Sequence, residues 1–189
     1  MKLDIEYINS FLSVENSKYF FEYFDINNNN NINWQNDVVK IFGKEIITKR
    51  KTAWYGDEEF DYTYSGINRK AIIWDKTFGA LKEKIELTAN QKFNSCLLNY
   101  YFDGDDGMGW HKDNEKSIKK YSSIASLSLG AIRKFSFKNI QTSEKQDLIL
   151  ENGSLLIMKN KTQEEWLHSL PKSKKVLKPR INLTFRLMN

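Results

Sequence analysis

Arg180-Ile181-Asn182-Leu183-Thr184-Phe185-Arg186-Leu187 sorts its side chains completely. Successive residues of an extended chain point to opposite faces. Ile181, Leu183, Phe185 and Leu187 therefore share one face, and Arg180, Asn182, Thr184 and Arg186 share the other. The pattern predicts a strand. The commoner setting for its polar face is water. The alternative is a cavity wall, where two guanidiniums can each grip a carboxylate through a planar fork.

Working back from this strand, Phe93–Phe102, Ser122–Leu129, Lys134–Lys138, Leu148–Leu150 and Ser154–Met158 also read as strands. Turns such as Asp103-Gly104-Asp105-Asp106-Gly107 and Glu151-Asn152-Gly153 divide them. One helix precedes them, Lys76 to Thr88, with Phe78, Leu81 and Ile85 on a common face. Consecutive strands without a βαβ rhythm predict a mainly β (α+β) fold, an antiparallel sandwich or jelly roll. Shorter strands are expected between Trp34 and Tyr64, including Val38–Phe42 before Gly43 and a segment ending at Trp54-Tyr55. Tyr19, Phe20, Tyr23 and Phe24 recur at helical spacing, with an N-cap expected among Glu15-Asn16-Ser17. Asn27 to Asn31 reads as a turn. The division expected is an N-terminal extension, residues 1–33, packed on one domain, residues 34–189.

Composition narrows the function. The 189 residues are 40% hydrophobic and 28% charged, an ordinary globular balance. No apolar run reaches the roughly 18 residues of a membrane span, and the first residues lack a signal peptide's apolar stretch. One cysteine, Cys96, excludes an intrachain disulfide and any multi-cysteine zinc site. These features set the expectation of a monomer in the cytoplasm, or in the nucleus of a eukaryote, with no membrane partner. A net charge of +5 leans toward polyanions. Lys49-Arg50-Lys51 and Lys172-Ser173-Lys174-Lys175 are basic runs. Such runs are usually solvated faces, but at the rim of a site they would meet phosphates.

Only two histidines exist, His111 and His168. His111 and Asp113 lie two apart, so on an extended chain both reach one ion. With His168 they make two imidazoles and one carboxylate, the ligand set of non-haem Fe(II) oxygenases, which leaves metal positions open. Taken alone, the His-x-Asp pair reads as two unrelated loop residues. The polar face of 180–187, together with Asn99 and Tyr101 on one face of Leu98–Phe102, adds what an anionic keto-acid would need.

Several blocks then occur in a fixed order. They are Asn99-Tyr100-Tyr101-Phe102-Asp103-Gly104, Gly109-Trp110-His111-Lys112-Asp113-Asn114-Glu115, Ile124-Ala125-Ser126-Leu127-Ser128-Leu129-Gly130, Asn152–Met158, Trp166-Leu167-His168-Ser169-Leu170-Pro171 and Pro179–Arg186. Across about residues 40–187 the chain resembles the AlkB family of Fe(II)- and 2-oxoglutarate-dependent dioxygenases. Arg50–Asp57 and Tyr62–Gly66 are most similar to the branch that repairs alkylated DNA. The resemblance implies a double-stranded β-helix (jelly-roll) core over about 91–189, flanked by N-terminal helices, with a nucleotide-recognition lid over about 40–70. It implies Fe(II) held by His111, Asp113 and His168, with O2 as cosubstrate. It implies 2-oxoglutarate held by Asn99, Tyr101, Arg180, Thr184 and Arg186. Base contacts would come from Tyr62, Ser65, Arg50, Asn114 and Glu115, with Trp54 and Tyr55 as weaker candidates, and Phe42 would be a finger filling the gap left by a flipped base.

One position departs from the family, which commonly has a second acidic residue directly after the metal carboxylate. Here it is Asn114, followed by Glu115, and the choice of base is thereby opened. The activity implied is oxidative demethylation of bases such as 1-methyladenine and 3-methylcytosine in single- or double-stranded DNA. Two alternatives stand beside it: the same chemistry on RNA, protein or a small molecule, and a jelly-roll binding module without catalysis.

Overall fold

The computed structural model describes residues 2–28, 32–41, 44–59, 61–64 and 67–189. The elements are β1 (Ile5–Ile8), α1 (Val14–Phe24), β2 (Gln35–Ile41), β3 (Lys44–Gly56), β4 (Asp61–Tyr64), β5 (Ile67–Lys70), β6 (Ile72–Ile73) and α2 (Lys76–Ala89). There follow β7 (Ser95–Tyr101), β8 (Met108–His111), β9 (Ile124–Gly130), β10 (Arg133–Asn139), β11 (Lys145–Leu150), β12 (Leu155–Met158), α3 (Thr162–Glu165), β13 (Trp166–Leu170) and β14 (Arg180–Arg186). Among the described residues, β1-β12-β9-β14-β7-β3-β2 form the large sheet, with β6 alongside β3. A smaller sheet, β11-β10-β13-β8, faces it, and β4 and β5 pair separately. Every pairing is antiparallel except β3 with β6. The expected two-layer, jelly-roll architecture is present.

β14 is central, bonded to β7 on one side and β9 on the other. Its apolar face packs under the helices. Ile181, Leu183 and Phe185 join Phe78, Leu81 and Ile85 of α2 and Phe24 of α1 in one buried cluster. Each such apolar side chain taken out of water contributes about 1.5–3 kcal/mol. Its polar face turns inward as well, toward the small sheet, so all seven residues are buried. Between the layers a second cluster forms around Ile124, Leu156 and Met158 from the large sheet and Phe137 and Trp166 from the small one.

Two elements differ from expectation. The N-cap of α1 is Ser13, whose hydroxyl accepts from the Asn16 N–H at 3.2 Å, and not a residue of 15–17. Ser17 instead sits one turn inside the helix, buried, donating to the Ser13 carbonyl. β1, inside the expected extension, is the edge strand of the large sheet, pairing Ile5–Ile8 with Met158–Leu155. α2 matches its prediction within one residue. Asp75 caps its start, and Asn90 in the left-handed region ends it.

The 103–107 loop leads into β8 and is docked against the chain that follows β13. The Gly104 N–H donates to the Val176 carbonyl and the Ser173 N–H to the Gly104 carbonyl, each at 2.8 Å, and the Val176 N–H donates to the Ser173 carbonyl at 3.0 Å. A Cβ at Gly104 would lie 1.8 Å from the Ser173 carbonyl oxygen, so only glycine permits the approach. Arg133, fully buried, donates to the carbonyls of Asp103, Asp106 and Pro171. These contacts fix the ends of β8 and β13, the strands that carry the two histidines.

Candidate active site

His111 and His168 are register partners across β8 and β13, which brings their ring centroids to 4.2 Å. Asp113 follows β8 and is buried. The ligating atoms of His111, Asp113 and His168 lie within 4.8 Å of one another, close enough for one ion. Nδ1 of His111 lies 2.8 Å from the Gly109 carbonyl, a contact that fixes the ring. His168 is held differently, its ring stacked on Phe135 at 5.4 Å. Its Nδ1 is buried without a hydrogen-bond partner among the described residues.

The electrostatics suit a cation. Burial pushes the Asp113 carboxyl up, but Arg186, His168 and His111 outweigh it and hold the group at about 2. Burial, then the neighbouring His111, hold the His168 imidazole down at about 3, so it is neutral at pH 7. A deprotonated carboxylate and a neutral imidazole are the forms that bind a metal. Arg186 donates to Oδ2 of Asp113 at 2.8 Å, with both side chains almost wholly buried.

Beside this triad lies a cavity whose wall is the polar face of β14. Register places Arg180 beside Tyr101 and Asn182 beside Asn99 on β7, and Asn182 beside Ser128 and Thr184 beside Ser126 on β9. Arg180 donates to Ser128 Oγ at 2.9 Å and lies 5.5 Å over the Tyr101 ring. Asn182 donates to Ser126 Oγ, and Thr184 donates to Asn182 Oδ1. Asn99 Oδ1 and Arg180 Nε are buried with no hydrogen-bond partner among the described residues. The water-facing reading of this strand is therefore excluded. Burial lowers the Arg180 pKa to about 10, and no carboxylate among the described residues pairs with it, so the guanidinium keeps the capacity to take one.

The other expected site residues are distributed as follows. Arg50 is buried, with Nη1 at 3.2 Å from Met108 Sδ and its guanidinium 5.8 Å from the Tyr101 ring, so it points inward. Trp54 and Tyr55 are buried on β3, and Tyr55 belongs to the helix-side core. Tyr62 lies on β4. Phe42 and Ser65 lie outside the described residues. Asn114 is exposed, Glu115 is half-buried, and both line a cleft behind Asp113. Burial and the nearby Asp113 raise the Glu115 carboxyl.

Sequence reasoning missed several contributors. Ser126 and Ser128 carried a signal, the alternation of Ile124–Gly130. Phe135 and Gln163 carried none. Gln163 Oε1 accepts from the Asp113 N–H at 3.0 Å, while its Nε2 donates to Met158 Sδ.

The model of the 2OG-Fe(II) oxygenase superfamily matches residues 4–186. The chain belongs to this superfamily. Among relatives of this oxygenase, the DNA oxidative demethylase ALKBH2 of Bos taurus is 41% identical, covering 78% of this chain and 56% of the relative. The Arabidopsis thaliana DNA oxidative demethylase ALKBH2 is 33% identical over 98% of this chain and 66% of its own length. The alpha-ketoglutarate-dependent dioxygenase alkB homolog 3 of Mus musculus is 40% identical over 72% of this chain and 51% of its own length. The oxygenase thus spans about half to two thirds of the length of these relatives. The solved structure of OsALKBH1 superposes with a TM-score of 0.64 at 18% identity, covering 98% and 99% of the two chains, and shares the fold.

The donor set, the neutral His168 and its orphaned nitrogen fit a divalent metal, and the unpartnered Asn99 and Arg180 atoms fit a carboxylate cosubstrate. Gln163, as the brace of Asp113, gives a direct test. Gln163→Ala is expected to weaken Co(II) binding, read by absorption titration, by about tenfold or more, as loss of an outer-shell partner does. Gln163→Glu keeps the acceptor and should restore most of it. Unchanged affinity in the alanine variant would make the contact incidental.

Proposed function

We propose that this protein oxidatively demethylates alkylated nucleobases, such as 1-methyladenine and 3-methylcytosine, in DNA. The observation carrying the reading is the His111–Asp113–His168 set, with Asp113 and His168 buried, beside a cavity whose Arg180 has no carboxylate partner among the described residues. The resemblance of Arg50–Gly66 to the DNA-repair branch, and relatives named DNA oxidative demethylase, support the substrate.

His111, Asp113 and His168 hold Fe(II), and three protein ligands leave room for a cosubstrate and O2. Arg180, with Asn99, Tyr101 and Thr184, binds and orients 2-oxoglutarate. Arg186 serves the same face while balancing the Asp113 charge. When bound, iron with 2-oxoglutarate and O2 supplies the oxidation that turns an N-methyl group into one lost as formaldehyde, leaving succinate and carbon dioxide. A base inside a duplex is out of reach, so it is flipped, at least cost where methylation already blocks pairing. The lid assigned over it is about residues 40–70, of which 42, 43, 60, 65 and 66 lie outside the described residues. Tyr62, Ser65, Arg50, Asn114 and Glu115 contact the extruded nucleotide, and Phe42 wedges into the stack it leaves. The protein acts as a monomer in the compartment that holds the DNA. No helix among the described residues is long and apolar enough to cross a membrane.

The deciding experiment loads the protein anaerobically with Fe(II) and 2-oxoglutarate, then admits oxygen and a methylated DNA oligonucleotide. Stoichiometric succinate and loss of the methyl mass are expected. Succinate formation that no methylated DNA stimulates would move the substrate to RNA, protein or a small molecule.

Asn114 sets a prediction on lesion range. 1-Methyladenine and 3-methylcytosine are cationic, and an amide accepts a hydrogen bond from them without offsetting charge. Neutral hydrogen bonds contribute about 0.5–1.5 kcal/mol, against about 1.5–3 with a charged partner. Asn114→Asp should therefore raise kcat/KM on cationic lesions about fivefold relative to neutral etheno-adenine. Glu115 already offers a carboxylate beside it, so the effect should be larger in a Glu115→Gln background. An equal shift for both lesions in both backgrounds would remove Asn114 from the base contact.

A further inference from the structure

Between Asp113 and β9 the chain walls a cavity of about 430 Å³ against residues 160–164 and Asn189. Neither histidine nor Arg180 lines it, and Asp113 is one wall shared with the active-site cavity. At the far end, Tyr121 and Asn160 also border an open cleft of about 510 Å³ that reaches Lys2. The two hollows therefore adjoin at Tyr121 and Asn160.

Its chemistry is uneven. Of the lining carboxylates, Asp113 is paired with Arg186 and Glu164 with Lys120. Lys116 and Lys119 are exposed and make no ion pair among the described residues, leaving Glu115 as the carboxylate without a cation. Tyr121 is 49% exposed. Lys120 Nζ lies 4.8 Å from its ring centroid. Its φ of +63° is in the left-handed region, an uncommon conformation for an aromatic residue. A residue held in strained backbone with its ring outward is a presented residue.

We propose that the end of this cleft bordered by Tyr121 and Asn160 receives an unmodified nucleotide of the strand that carries the lesion, with its base stacked on Tyr121 and its phosphate against Lys119. The proposal rests on the nucleic-acid reading above. A ring flanked by lysines is how sequence-tolerant single-strand sites work, since every base has a π-face and every nucleotide a phosphate. The volume suits one nucleotide, and the shared wall at Asp113 places the cleft next to the site where the damaged base reacts.

The test uses the full chain and single-stranded DNA with one 1-methyladenine, either as a trinucleotide or extended by six nucleotides on its 5′ or its 3′ side only. Fluorescence anisotropy of the metal-free protein gives affinity, and succinate release by the loaded enzyme gives turnover. For the unsubstituted protein, extension on one side should tighten binding about fivefold or more. Tyr121→Ala and Lys119→Ala should each abolish most of that gain while turnover of the trinucleotide stays unchanged. Lys119→Ala should also lower the slope of log affinity against log salt by about one. Tyr121→Phe should keep the gain, since it keeps the π-face. The idea is overturned if extension gains nothing on either side, if the variants keep the gain, or if they weaken the trinucleotide equally. Failure of the nucleic-acid reading would look different, because the unsubstituted protein would then bind and convert none of these oligonucleotides.

Discussion

His168→Ala should reduce demethylation to background, a fall of at least about a thousandfold, or roughly 4 kcal/mol of barrier. The reason is coordination. With two protein ligands left, the site no longer holds a metal with open positions facing the cosubstrate. His111→Ala and Asp113→Ala should act alike, because the three groups work as one unit and their losses do not add. His168 is also a buried ring stacked on Phe135, so the alanine variant leaves a cavity. His168→Gln fills that space and separates the two effects. Both variants should fold, by far-ultraviolet circular dichroism, and both should fail to develop the Co(II) absorption of the parent. Co(II), Ni(II) and Mn(II) should occupy the parent site without supporting turnover. Demethylation at the parent rate by His168→Ala would sink the assignment.

The legibility of this site follows from which contacts are local. The β14 strand is readable because alternation is a property of eight consecutive residues. Its meaning is not, since a polar face looks the same against water as against a second sheet. What decides the matter is the small sheet, and two of its strands are faint in sequence. β8 has four residues, including Gly109, and β13 follows a single helical turn, so neither offers the length that periodicity needs. Their register sets His111 opposite His168, a contact between residues far apart in sequence. The ordered motif blocks supply that pairing where periodicity cannot. The helix α2 is clear from both ends because its cap, Asp75, and its apolar face are local. The cap of α1 is misplaced because Ser13 and Ser17 both lie within reach of a start, and tertiary burial of Ser17 selects between them. Gln163 has no sequence signature, since a lone amide becomes a brace only when the fold brings Asp113 to it.

Arg186 sits where stability and binding meet, and its replacement should expose both. Its guanidinium is the cation nearest Asp113, and both groups are almost wholly out of water. Removing one partner of a buried pair leaves the other charge uncompensated, at a cost of about 3–5 kcal/mol. Arg186→Met retains most of the volume and none of the charge. In a chain of this size that cost corresponds to a fall in Tm of about 6–20 °C for the metal-free protein. A divalent cation bound by His111, Asp113 and His168 would supply the missing positive charge. Metal addition should therefore raise the Tm of Arg186→Met by several degrees more than it raises that of the parent, as read by calorimetry with and without Mn(II). Arg186→Lys keeps the charge but loses the planar fork, so it should recover most of the stability. Arg180→Lys makes the contrast, since Arg180 has no carboxylate partner among the described residues to strand. It should leave Tm nearly unchanged and weaken 2-oxoglutarate about tenfold, the loss of one charge-assisted contact. A metal-dependent rescue confined to Arg186→Met would place the two arginines in different roles on one strand face. Equal stabilisation of Arg186→Met and the parent by Mn(II) would mean that the cation and the guanidinium do not share the Asp113 charge.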